Sequence, residues 1–131
     1  MFALDTNAVI HAFKRKGNVH TRLTAVPPSQ IAIPAVALYE LQRGVLASQN
    51  PAVRRAQLDA LVSVVPVLPF DAHAASLAAL IRVDLERQGL TLGPLDTLIA
   101  ATAVAHRAIL ITHNTREFSR VPGLLLENWF L

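Results

Sequence analysis

The chain has 131 residues, 53% of them hydrophobic, and a mean hydropathy of +0.41, which suits one fully folded domain over residues 1–131 and excludes a disordered tail. Lys and Arg outnumber Asp and Glu by 12 to 9, and most of them are Arg, whose planar fork suits phosphate; the excess is too small to demand a polyanionic partner. With no cysteine, disulfides, thiolate metal sites and a cysteine nucleophile are excluded, so any metal must be held by oxygen or imidazole.

Phe2–Leu4 reads as a short buried strand that stops at Asp5, with a helix capped by Asp5 or Thr6 following. Asn18–Val26 suits a second short helix, and Gln30–Ile33 a strand. Pro34 fits the first turn of a helix running to about Ser48, and Asn50-Pro51 is a cap-plus-proline start for another, to about Ser63. Val64–Leu68 is a β-branched strand, and Asp71 caps a long amphipathic helix ending at Gly89. After the loop Thr91–Pro94 comes a helix of small residues to about His106, then strands at Ala108–Thr112 and Leu124–Leu126. Strands apolar on both faces, alternating with helices, predict a parallel sheet covered on each side. The ligand site of such a sheet lies beyond the carboxyl ends of its strands, here at Asp5 and at Thr112-His113-Asn114. No apolar run approaches the roughly 20 residues of a bilayer span, and Asp5 interrupts the N-terminus before a signal-peptide core could form, so a cytoplasmic protein without a membrane partner is expected.

The nine acids divide by their surroundings. Asp59, Asp84, Glu86 and Glu127 have polar neighbours and read as solvated, whereas Asp71 is explained by capping. Asp96 shares a helix face with Ile99, Ala100, Ala103 and Val104, which carries its carboxylate toward the apolar interior. Its ordinary alternative is to cap its own helix. Glu40 lies on a stripe with Val36, Ala37, Gly44 and Ala47, its alternative being an ion pair with Arg43; Asp5 closes a buried strand and could serve only as a cap. If these three converge, their repulsion calls for a divalent cation, and oxygen ligands suit Mg²⁺ or Mn²⁺. Such a cation beside arginines is the machinery of phosphodiester hydrolysis. The histidines match no metal spacing, although His113 stands next to the expected site; Lys14-Arg15-Lys16 and Arg54-Arg55 read as solvated helix faces or RNA contacts.

Leu4-Asp5-Thr6-Asn7, Tyr39-Glu40-Leu41 with Gly44, and Gly93-Pro94-Leu95-Asp96-Thr97-Leu98-Ile99-Ala100 resemble the acidic motifs of PIN-domain nucleases. Ile111-Thr112-His113-Asn114-Thr115-Arg116-Glu117-Phe118, followed by Val121 and Gly123-Leu124, resembles the closing motif of the VapC toxins in that family. The resemblance implies a PIN-like three-layer α/β/α sandwich with a central, mostly parallel sheet of four or five strands. It also implies a Mg²⁺- or Mn²⁺-dependent endoribonuclease serving as the toxin of a bacterial type II toxin–antitoxin pair. Asp5, Glu40 and Asp96 would then hold the metal and organise the attacking water, with Thr6 and Thr112 as hydroxyl supports. Many PIN domains carry a fourth Asp where Asn114 stands; the amide adds no charge, and Glu117 is the residue that could supply it. Lys14, Arg15, Lys16 and Arg116 are the candidate RNA contacts, with tRNA or another structured RNA as substrate, a VapB-type antitoxin as partner and a homodimer as the assembly. Two other readings compete: a PIN-fold module that binds RNA or protein without cutting, and a phosphatase with Asp5 as nucleophile, which would want a second acid where Asn7 stands.

Overall fold

The computed structural model describes residues 1–131. Five strands form one sheet in the order β3-β2-β1-β4-β5, with every neighbouring pair parallel: β1 (Phe2–Leu4), β2 (Ile31–Pro34), β3 (Val67–Leu68), β4 (Ile109–Ile111) and β5 (Leu125–Glu127). The connections are helical: α1 (Thr6–Lys14) and α2 (Val19–Thr24) lead to β2, α3 (Ala35–Ala47) and α4 (Pro51–Val62) to β3, α5 (Ala72–Arg87) and α6 (Pro94–Ala105) to β4, and α7 (Thr115–Phe118) to β5. Consecutive residues Ala3 and Leu4 of β1, and all four of β2, are buried. Since neighbouring side chains point to opposite faces, both faces of the sheet are covered, giving three layers. A cluster of 29 buried apolar residues forms the core, with Trp129 and Phe118 its largest side chains. On α6, Ala100, Ala101 and Ala103 are fully buried, and these small side chains let α5 and the sheet approach closely.

The expected elements are present, with informative differences at their edges. Pro34 ends β2, paired with Leu68, and the helix begins one residue later; lacking an N–H, proline fits an edge of the ladder as readily as a helix start. The strand expected over Val64–Leu68 contracts to its last two residues because the amides of Val64 and Val65 bond back to the Leu61 carbonyl (both 3.1 Å), extending the end of α4 as a turn. The last strand begins one residue later than expected and takes in Glu127. A 3-10 turn at Pro28–Gln30 and the four-residue helix α7 are additional; both are too short to show a hydrophobic period. Helix α1 is capped by Asp5, whose Oδ1 accepts from Ala8 N at 2.8 Å, and α5 by Asp71, which does the same for Ala74 N at 2.9 Å.

The chain adds β2 and β3 on one side of β1, then crosses back to add β4 and β5 on the other. The order of strands therefore reverses between β1 and β4, and a crevice opens beyond their carboxyl ends. Leu4 pairs with Ile111, and the Asp5 amide extends the ladder to the Ile111 carbonyl (3.2 Å). This register brings Asp5 beside Thr112.

Candidate active site

Asp5 is held by its backbone on two sides, as the continuation of β1 and the N-cap of α1, and is only 6% exposed. Burial raises its carboxyl above the ordinary range. The Thr112 hydroxyl and the Ala8 amide counter part of that rise, as does the charge of His11, while Glu40 adds to it. Thr112, fully buried at the end of β4, also accepts the Asn114 amide on its Oγ1 at 3.0 Å. The Thr112 hydroxyl thus anchors the Asn114 backbone and lies near enough to Asp5 to lower its pKa.

Glu40 comes from the middle of α3. Its Oε1 accepts the Thr6 hydroxyl at 2.7 Å, so the second residue of the Asp5-Thr6 pair aims a carboxylate delivered 34 positions later. The alternative ion pair with Arg43 does not form; the two ion pairs of the molecule are Arg22–Glu127 and Arg82–Glu86.

Asp96 lies in the first turn of α6, after Gly93 and Pro94. A Cβ at Gly93 would sit 3.4 Å from Asp96 Oδ2, an ordinary contact, so the carboxylate lies close against the start of its own helix without needing a glycine there. Burial and then the charges of Glu40, Asp5 and Glu117 push the Asp96 carboxyl up to about 6. Those same influences show that four acids from four elements share one electrostatic neighbourhood, and none is in an ion pair. Glu117 in α7 is fixed by Asn114, whose Nδ2 donates to Glu117 Oε2 at 3.0 Å. The two candidates for the fourth position are therefore a hydrogen-bonded unit.

Residues 2–124 match the PIN domain family. The chain belongs to the PIN-domain family, in its VapC branch. It is similar to the ribonuclease VapC2 of Rickettsia felis, 36% identical over 131 residues and 98% of each chain. The tRNA(fMet)-specific endonuclease VapC of Shigella flexneri is 41% identical over 129 residues, 98% of this chain and 97% of that one. Among solved structures, VapBC2 of Rickettsia felis bound to a promoter DNA fragment superposes with a TM-score of 0.90 at 35% identity and covers 98% of both chains.

In this PIN domain Asp5, Glu40, Asp96 and Glu117 lie near enough for their charges to act on one another, with Thr6, Thr112 and Asn114 beside them. The basic candidates scatter. Lys14 borders a groove of about 200 Å³ between α1, α3 and α4 that Glu40 and Arg54 also line, whereas Arg15, Lys16 and Arg116 are exposed and unpaired. Glu127, read as solvated, instead accepts from Trp129 Nε1 at 3.1 Å and pairs with Arg22 at 3.7 Å. His11, which no metal-ligand spacing marks, lies close enough to Asp5 to lower its pKa. Its ring packs on Phe130, a neighbour 119 positions away that no local spacing reveals.

The donor set is all oxygen, partly desolvated and short of positive charge, which fits a hard divalent cation. No three His, Asp or Glu side chains close around one point at ligating distance. The fit is to a hydrated ion held through one or two carboxylates, as Mg²⁺ prefers, and not to a dehydrated cage. No helix is long and apolar enough to cross a membrane.

Proposed function

We propose that this PIN domain is a Mg²⁺- or Mn²⁺-dependent endoribonuclease and the toxin of a type II toxin–antitoxin pair. The observation that carries this reading is the convergence of Asp5, Glu40, Asp96 and Glu117 with no ion pair to any of them, which pushes Asp96 up to about 6. Asp5, Glu40 and Asp96 are the carboxylates from which one or two would hold a hydrated ion directly, and Asn114 with Glu117 stands beside them. When bound, the cation supplies Lewis-acid stabilisation of phosphate charge and makes water more acidic. Thr6 orients Glu40 and Asn114 orients Glu117, so these carboxylates stand pre-aimed to hold the ion, not the phosphate. Asp96, raised to about 6 while no cation shares the cluster, would fall as an ion neutralises its neighbours, so its role is to help hold that ion as an ionised carboxylate.

The relatives' names support tRNA as the first substrate to test, and the VapBC complexes support a VapB-type antitoxin as partner. Lys14, Arg15, Lys16 and Arg116 are proposed to contact the RNA backbone. The working assembly is a homodimer in the cytoplasm; the exposed Leu80 and Val83 of α5 support an apolar contact between copies. The deciding experiment is cleavage of an initiator tRNA transcript and of pooled tRNA with Mg²⁺ or Mn²⁺. Cleavage is expected to vanish with EDTA and with Asp5→Asn or Asp96→Asn; cleavage that survives all three would overturn these roles.

A second reading, a PIN-fold module that binds RNA without cutting, draws on Asn114 in place of a fourth acid and on the open spacing of the carboxylates. RNA affinity with no heat of metal binding by calorimetry would favour it.

A further inference from the structure

At the same end of the sheet, residues outside the carboxylate cluster build a cluster of three rings in edge-on and tilted contact. The Phe130 ring lies between two imidazoles, 4.6 Å from His11 in an edge-on arrangement and 4.9 Å from His113 with a 42° tilt. Several contacts keep it there. Trp129, 2% exposed, is anchored through Nε1 to Glu127, against Phe2 at 5.2 Å and beneath the Arg22 guanidinium at 5.6 Å. Asn128 then brackets the ring cluster, its Oδ1 accepting the Phe130 amide at 2.9 Å and its Nδ2 donating to His113 Nδ1 at 3.5 Å. At Gly17, a Cβ would stand 2.7 Å from the Phe130 carbonyl oxygen, so the segment seats itself where only glycine leaves room.

The His11 Nδ1–H is occupied by the Asn7 carbonyl at 2.9 Å, so this ring too is fixed. Core aromatics are buried; His113 is exposed, although it sits between Thr112, which links to Asp5, and Asn114, which holds Glu117. An oriented, exposed aromatic ring backed by a second ring at the rim of a nuclease site is what an unstacked RNA base requires.

We propose that His113, backed by Phe130 and braced by Asn128, is a stacking platform for a base flanking the cleaved phosphodiester. The role rests on the ribonuclease reading above. It differs from the basic contacts at Lys14–Lys16 and Arg116 because it engages a base face and not the backbone charge.

The test is steady-state cleavage of an initiator tRNA transcript by the full chain, comparing wild type with His113→Ala, His113→Phe and His113→Leu, each checked for an unchanged melting temperature. Loss of a stacking partner raises KM about tenfold in His113→Ala, while kcat changes less than about twofold. The planar ring of His113→Phe restores KM; the equally apolar His113→Leu does not. Phe130→Ala, which removes the backing, reproduces part of the KM rise. An unchanged KM in His113→Ala, recovery by Leu equal to that by Phe, or a fall confined to kcat would each overturn the platform. If wild type cuts neither that transcript nor pooled tRNA, the ribonuclease reading fails and the platform falls with it; wild-type cleavage with an indifferent His113 sinks the platform alone.

Discussion

Asn114 Nδ2 donates to Glu117 Oε2 at 3.0 Å, and the Asn114 backbone amide donates to Thr112 Oγ1 at 3.0 Å. The residue that departs from the four-acid pattern is thus the one that orients the remaining acid, and an aspartate there would replace donation with repulsion.

For Asn114→Asp, we expect the metal-free protein to be destabilised by about 1–3 kcal/mol, since a hydrogen bond to a charged group is lost and a like charge is added. Mn²⁺ should recover the loss and bind more tightly than to wild type. Thermal melts with and without Mn²⁺ read both effects; equal melting temperatures without metal would show that the pair is not a coupled unit.

Asp96→Asn separates function from stability. Removing one carboxylate from a group of four should lower cleavage at least about a hundredfold if Asp96 holds the ion as proposed above. It should also raise the melting temperature of the metal-free protein at pH 7, because the repulsion that pushes Asp96 to about 6 is relieved. A variant less stable than wild type at pH 7 would contradict the electrostatic account.

The pH dependence follows with its sign. The folded Asp96 pKa, about 6, lies above the ordinary 3.8, so between these values the folded chain binds more protons than the unfolded one. Its contribution is therefore favourable at low pH and is lost as pH rises from about 4 through about 6. Asp5, also raised, adds in the same direction. Saturating Mg²⁺ should flatten this loss, as an ion bound at about a hundred times its Kd stabilises by about 2.7 kcal/mol. Chemical denaturation at about pH 4.5, 6 and 7.5, which span the titration, with and without Mg²⁺, gives the comparison.

Thr112→Val keeps the shape of a fully buried side chain while leaving the Asn114 amide without its acceptor and Asp5 without its hydroxyl partner. A loss of about 1–3 kcal/mol is expected from the unsatisfied amide, together with weaker metal binding, and Thr112→Ser should restore most of both. Equal behaviour of Val and Ser would show that the hydroxyl is idle.

Gly17→Ala tests the seat of the terminal aromatics. With φ at +62° and the Phe130 oxygen 2.7 Å from the new methyl, the substitution combines backbone strain with a backbone clash and should destabilise by more than about 1 kcal/mol. Faster amide exchange at Trp129 and Phe130 would locate the loss; unchanged exchange would place it elsewhere.

Much of the site was legible along the chain because its acids are marked by contrast. Asp5 ends a run with no other polar residue, and Asp96 and Glu40 interrupt stripes of small apolar residues, so burial of charge could be read before any geometry was known. The strands and long helices were legible for the same reason, since apolar runs and capping residues are local signals. Their edges were less so: Pro34 fits either side of the β2–α3 boundary, and only pairing with Leu68 decides it.

By itself, then, the order of residues determined an α/β chain, a parallel sheet buried on both faces, and the acids that would seek a cation. The tertiary structure alone decided who stands beside whom. The reversal of strand order at β1 and β4 set Asp5 next to Thr112, a hydrogen bond spanning 34 positions aimed Glu40, and the terminal segment brought Phe130 between His11 and His113. Propensity and periodicity act over a few neighbouring residues, whereas pairing across a sheet depends on where the whole chain has gone.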